Sequence, residues 1–196
     1  MIIMERIVLA SGSPRRREIL EKYDIDLIVE KSNVDENVNI GETPEQIAMS
    51  LSLIKALDVS NKFSKDIIIG ADTIVVLDGI ILGKPKDKED ASNMIHMLNG
   101  GIHEVITGIA LIKQDANIKI IDYEKTIVKF RKLTDSMINR YIYTNEPFDK
   151  AGAYAIQGIG QILVENIDGC YFNVVGLPLT KIDRLLNKYF NYYILK

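Results

Sequence analysis

Cysteine is almost absent: Cys170 is the single one in 196 residues. One thiol can form neither an intramolecular disulfide nor a thiolate zinc cluster, so the sequence predicts a reducing, cytoplasmic setting. Cys170 reads as a small buried residue near a turn. Long apolar runs are missing as well. The opening Met1-Ile2-Ile3-Met4 stops at Glu5-Arg6, and no later stretch reaches the roughly 20 residues that a membrane-spanning helix needs, so no membrane partner is expected. Positive charge is not in excess. A formal net charge of -3 and a pI of about 5.5 give no global attraction to DNA or RNA, and no nucleic acid polymer is expected as a partner. The two histidines, His96 on the apolar side of a helix and His103 at a strand start, have no cysteine partner and form no adjacent pair. A triad hydrolase or a histidine-metal hydrolase therefore has little support, and both are read as structural.

What is present is the balance of a globular protein, 47% hydrophobic and 26% charged, at a length suited to one substantial core. Residues 1–196 are read as a single domain. Arg6-Ile7-Val8-Leu9-Ala10 predicts a buried strand that ends at Ser11-Gly12-Ser13-Pro14, with Ser13 as the N-cap of a helix and Pro14 at its first position. A short strand over residues 27–29 and a polar loop over 31–41 follow. Thr43-Pro44-Glu45-Gln46 has capping-box form and opens a helix to about Val59, with Lys55 beside its apolar seam. Ile67-Ile68-Ile69 starts a strand that continues past Gly70-Ala71-Asp72-Thr73 to the hairpin dipeptide Asp78-Gly79. Asp87 caps a helix through Leu98. Two long β segments, 102–113 and 118–130, precede a helix over 134–144. The last third reads as a glycine-rich loop, strands near 162–164 and 171–175, and a closing helix after Pro178. Long β pairs mixed with helices indicate a mixed-sheet α/β fold.

Several segments carry side chains suited to polyphosphate. Ser11-Gly12-Ser13-Pro14-Arg15-Arg16 combines amides at a helix start with two guanidiniums, a phosphate cradle or else a cap with two solvated arginines. It lacks the glycine-lysine ending of a P-loop. Asp72-Thr73 puts a carboxylate and a hydroxyl beyond an apolar strand, where α/β sheets present functional groups. A haloacid-dehalogenase phosphatase would need a second aspartate two residues on, and Ile74 stands there. Lys55 and Lys84 could neutralise phosphate, while Asp35 and Glu36 offer oxygen ligands for Mg²⁺. In the run from Glu146 to Gly158, small residues permit close backbone approach and Gln157 offers a donor and an acceptor suited to a base edge. Gly158-Ile159-Gly160 leads into an apparent strand and is no dinucleotide fingerprint.

Taken in order, these segments resemble the Maf family of nucleoside triphosphate pyrophosphatases, sometimes described as septum-formation inhibitors. The resemblance rests on Leu9-Ala10-Ser11-Gly12-Ser13-Pro14-Arg15-Arg16, Gly70-Ala71-Asp72-Thr73, Gly83-Lys84-Pro85 and His103-Glu104-Val105-Ile106-Thr107-Gly108. Asp149-Lys150-Ala151-Gly152-Ala153-Tyr154, Ile156-Gln157-Gly158 and Val175-Gly176-Leu177-Pro178 complete it. It implies a Maf/ITPase-like α/β fold, a mixed sheet with long antiparallel strands flanked by helices, in two lobes around a central cleft. The implied reaction is hydrolysis of the α–β linkage of a nucleoside triphosphate to the monophosphate and pyrophosphate. Asp72 would be the proton acceptor and a ligand of a divalent cation, Mg²⁺ or Mn²⁺, with Glu36 as second acidic contributor. Ser11, Arg15, Arg16, Lys55 and Lys84 would hold the triphosphate. Asp149-Lys150-Ala151-Gly152 with Gln157 is similar to the branch acting on dTTP and UTP, in which Arg15, Thr73 and Gln157 fall at positions linked to base specificity. The 7-methyl-GTP branch and a non-catalytic nucleotide-binding regulator of cell division are the alternatives. A homodimer is implied by the resemblance. Ala155 stands where the family often has glycine, and Cys170 where serine is common.

Overall fold

The computed structural model describes residues 5–35 and 41–195; Glu36 lies outside them. The chain divides into two compact units. The first comprises the described residues up to Asp72, Thr107–Glu124 and those from Gly176 onward; the second comprises Thr73–Ile106 and Lys125–Val175.

In the first unit, β1 (Ile7–Ala10) pairs in parallel with β2 (Leu27–Val29) on one side and β3 (Ile67–Leu77) on the other, Ile7 lying opposite Ile67 and Ala10 opposite Gly70. All four β1 residues are buried, the pattern of a parallel strand covered on both faces. Parallel neighbours need crossovers, supplied here by α1 (Pro14–Leu20) and α2 (Pro44–Ser60). The capping box of α2 is complete: Gln46 N–H donates to Thr43 Oγ1 at 3.3 Å, and Thr43 N–H to the Gln46 side chain at 2.9 Å. α2 sits directly on strand backbone. A Cβ at Gly70 would lie 2.4 Å from the Ser52 carbonyl oxygen, and one at Gly108, on β5 (Ile102–Lys113), 2.0 Å from that of Ala48. Ala56 and Val59 then pack with Val8, Ala10, Ile68, Ala110 and Ile112, each buried branched side chain contributing about 1.5–3 kcal/mol.

In the second unit β3 turns into β4 (Ile80–Leu82) through Asp78 and Gly79, at φ 48° and 80°. Both central residues have positive φ, as a tight hairpin turn demands. α3 (Lys88–Leu98) starts where Asp87 accepts the Asp90 N–H at 2.8 Å. β6 (Ile118–Phe130) pairs antiparallel with β7 (Val164–Asp168), and α4 (Asp135–Ile142) is capped by Thr134. The core gathers Ile95, Leu98, Phe130, Ile138, Tyr141 and Leu163. His103 is buried in it, edge-on to Phe130 and Tyr154, with Nε2 2.7 Å from the Tyr154 hydroxyl. Among the described residues the strands follow the order β2-β1-β3-β5-β6-β7, with β4 on β3, and mix parallel and antiparallel pairs.

Five sequence expectations need correction. Residues Tyr171–Val175 form a helix, α5, rather than a strand, because the Asn173 side chain turns inward to donate to Val105 O and Thr126 Oγ1. The segment after Gln157 is a 3₁₀ helix, Gly158–Leu163, and the strand begins only at Val164. Ser13 sits at the N-cap of α1 without a side-chain cap bond; its own N–H donates to Ser11 Oγ instead, at 3.2 Å. His96 is exposed, with Nδ1 2.7 Å from Ser92 O, and Cys170 is half-buried rather than enclosed. α6 (Leu179–Phe190) closes the first unit, burying Leu179, Ile182 and Leu186 along one stripe.

Candidate active site

Alternation along β3 turns Gly70 and Asp72 to the same face of the sheet. The helix seated on Gly70 therefore also reaches Asp72. Ser52 and Ala56 make the seat, and Lys55, next to Ala56, puts its Nζ 2.5 Å from Asp72 Oδ1. Both side chains are largely withdrawn from water, 14% and 11% exposed, so their attraction is screened less than that of a surface pair.

Beside this pair the guanidinium of Arg16 is fixed by backbone. Its Nε donates to Gly176 O at 2.7 Å, and its Nη1 donates to Ala71 O at 2.8 Å and to Ser11 Oγ at 3.1 Å. Ala71 immediately precedes Asp72, so the arginine charge is anchored one residue from the carboxylate. Ser11 is buried and receives both Arg16 and the Ser13 amide. Of the residues singled out from sequence, the first unit thus bonds Ser11 to Arg16 and Lys55 to Asp72, and the Ala71 carbonyl that Arg16 also holds belongs to the residue before Asp72. Arg15 is half-buried on α1, beside Arg16. Asp35 is exposed.

The second unit holds the others. Thr73 is half-buried on β3. Lys84 is exposed in the loop after β4, and that loop is tied down by the Gly152 N–H, which donates to Gly83 O at 3.0 Å. Gln157 is half-buried, between the 3₁₀ turn Ala151–Ala153 and the 3₁₀ helix Gly158–Leu163. Two neighbours of that segment had no role in the sequence reading. Tyr141, on the buried face of α4, and Glu146 bond to its backbone. A tyrosine on a buried helix face signals that its hydroxyl needs a partner, which is the clue the sequence offered. Burial, with the Glu146 charge nearby, pushes the Tyr141 hydroxyl above its ordinary pKa, so it stays protonated. Burial also lowers His103 to about 4, leaving it neutral.

The family model described as Maf-like protein matches residues 6–189. Proteins named dTTP/UTP pyrophosphatase are similar over nearly their whole length. One from Clostridioides difficile (strain 630) is 50% identical over 185 residues, 94% of this chain and 95% of the relative. Another, from Pyrococcus furiosus, is 52% identical over 184 residues, 93% and 95% of the two chains. Among solved structures, the Staphylococcus aureus Ham1 protein aligns with a TM-score of 0.49 at 15% identity, covering 82% of this chain and 80% of that one. With the family model spanning most of the sequence and half the residues identical to these relatives, the chain belongs to the Maf-like family.

Proposed function

We propose that this chain is a nucleoside triphosphate pyrophosphatase that hydrolyses dTTP and UTP to the nucleoside monophosphate and pyrophosphate. The observation that carries the reading is the Lys55–Asp72 pair, withdrawn from water and flanked by the anchored guanidinium of Arg16. Pure binding of a polyanion gains nothing from a carboxylate at that spot, whereas hydrolysis needs a proton acceptor there. The names of the 50%-identical relatives support the same substrates.

In the proposed reaction a water oxygen attacks the α-phosphorus, its proton passes to an Asp72 oxygen, and the α–β P–O bond breaks to release pyrophosphate. The Lys55 ammonium, paired with Asp72 before substrate arrives, transfers to phosphate oxygen and uncovers the carboxylate. Arg16 contributes fixed positive charge with no reorganisation, because its bonds to Ala71 O and Gly176 O hold it in place. Ser11 keeps that geometry and, with Arg15 and Lys84, is assigned to the triphosphate. Arg15, Thr73 and Gln157 are assigned to the base.

A divalent cation fits the donor set. Among the described residues no group of three or more His, Cys, Asp or Glu gathers as a cage. The hard oxygens of Asp72 suit Mg²⁺ or Mn²⁺ arriving on the triphosphate, which needs one or two carboxylates and keeps several waters; Glu36 is the proposed second. Such an ion would neutralise charge developing on the leaving oxygens. Residues 1–196 are proposed to act as one catalytic domain, in the cytoplasm where triphosphates are made, and as a homodimer on the family pattern.

The test is a panel of dTTP, UTP, CTP, GTP, ATP and 7-methyl-GTP, with pyrophosphate detected as phosphate after adding inorganic pyrophosphatase. Faster turnover of dTTP and UTP supports the reading; no turnover of any nucleotide overturns it in favour of a binding regulator. Asp72→Asn is expected to lower kcat by about a hundredfold or more while the protein stays folded.

A further inference from the structure

Gln157 is bracketed by a hydrogen-bonded clamp. Glu146 opens the 3₁₀ turn Glu146–Asp149 and turns its carboxylate back on the chain that follows Gln157. Oε2 accepts the Ile159 N–H at 2.9 Å, and Oε1 accepts the Gly160 N–H at 2.8 Å. The Tyr141 hydroxyl, from the buried face of α4, donates to Oε1 at 3.2 Å and accepts the Ala155 N–H at 3.3 Å. Three amides, two residues before Gln157 and two and three after it, are therefore fixed by two side chains that precede the segment in sequence. The glycines make room: a Cβ at Gly158 (φ 75°) would lie 2.4 Å from Glu146 Oε2, and one at Gly160 2.5 Å from Ala155 O and 2.7 Å from the Tyr141 hydroxyl. The Gly-x-Gly pattern thus serves closure of backbone around a carboxylate.

We infer that Glu146 and Tyr141 are positioning residues for base selection, holding the backbone on both sides of Gln157 so that its amide meets the pyrimidine edge at a fixed place. This rests on the reading of Gln157 as the base-contacting residue. An amide group discriminates bases only if its donor and acceptor are held in register with the ligand, and a side chain on an unanchored stretch between two 3₁₀ segments would forfeit that. A carboxylate suits the task because it accepts two N–H bonds and a hydroxyl at once. Glutamine at 146 cannot, since its nitrogen only donates.

The experiment compares wild type, Glu146→Gln, Tyr141→Phe and Gln157→Ala by kcat and KM for dTTP and for GTP, with far-ultraviolet dichroism as a check on folding. Loss of one such bond is expected to raise KM for dTTP about tenfold in Glu146→Gln and a few-fold in Tyr141→Phe, with GTP turnover within about twofold of wild type. The dTTP-to-GTP ratio of kcat/KM should fall toward that of Gln157→Ala. Equal losses on both nucleotides, or an unchanged ratio in both folded variants, overturn the clamp's role. Should Glu146→Gln fail to fold, Tyr141→Phe alone decides by the same ratio, because it removes a single oxygen. A wild type without pyrimidine preference sinks the functional reading and takes the clamp's role with it; an intact wild-type preference with an unchanged variant ratio sinks the clamp alone.

Discussion

Acid should destabilise this protein through His103. The imidazole is buried against Phe130 and Tyr154, and among the described residues its Nδ1 has no hydrogen-bond partner. Burial lowers its pKa to about 4, from an ordinary value near 6.5. The sign follows directly. Between these pH values the unfolded chain binds a proton that the folded one refuses, so stability is full above 6.5 and is lost as pH falls toward 4. At about 1.4 kcal/mol per pH unit, the interval amounts to about 3 kcal/mol, a sizeable part of the 5–15 kcal/mol typical of a domain. Tyr154, the group bonded to it, is pushed above its usual pKa and does not titrate in this window. Urea unfolding of wild type and His103→Gln, followed from about pH 7.5 to about pH 4.5, isolates the effect, because every other titrating group is common to both. The difference between the two curves should shift in favour of the variant by about 2–3 kcal/mol across that range. Parallel curves would refute the argument, whatever the absolute stability of His103→Gln.

Three further outcomes follow from the geometry. Arg16→Met strips donors from the buried carbonyls of Ala71 and Gly176 and should cost about 2–6 kcal/mol in urea unfolding, with Arg16→Lys recovering only part. Lys55→Met leaves the Asp72 carboxylate without its ammonium and should cost about 3–5 kcal/mol; the double variant Lys55→Met/Asp72→Asn should be more stable than Lys55→Met alone. Gly108→Ala forces a methyl against the Ala48 carbonyl and should cost at least about 1–3 kcal/mol while lowering kcat, since α2 must lift from β5 and carry Lys55 with it.

Where local chemistry decides the structure, the sequence was readable. Asp78-Gly79 fixed its turn, Thr43 and Gln46 fixed the start of α2, and the limits of β5 and β6 follow the turn between them. Misreadings occur where a distant partner decides. Tyr171–Val175 is a short apolar run of the kind that suits strand or helix alike, and Asn173 bonding to Val105 and Thr126 selects the helix. The strand expected near residue 162 starts later, because Glu146 takes the amides of Ile159 and Gly160. The candidate site divides the same way. Asp72, Lys55, Ser11 and Arg16 were recognisable as motif residues, but the Lys55–Asp72 pairing and the carbonyls that anchor Arg16 are long-range facts of folding.

The glycine seats beneath α2 set the mutational tolerance of this region. A helix that meets its sheet through side chains can absorb a substitution by repacking, and the error is spread over many soft torsions. Here the meeting is peptide against peptide at Gly70 and Gly108, so no torsion is available to take up the slack. The ammonium of Lys55 is in effect surveyed from the strand backbone. Sequence drift at the half-buried positions of α2 away from the seats leaves its position untouched, whereas one added carbon at either seat displaces it.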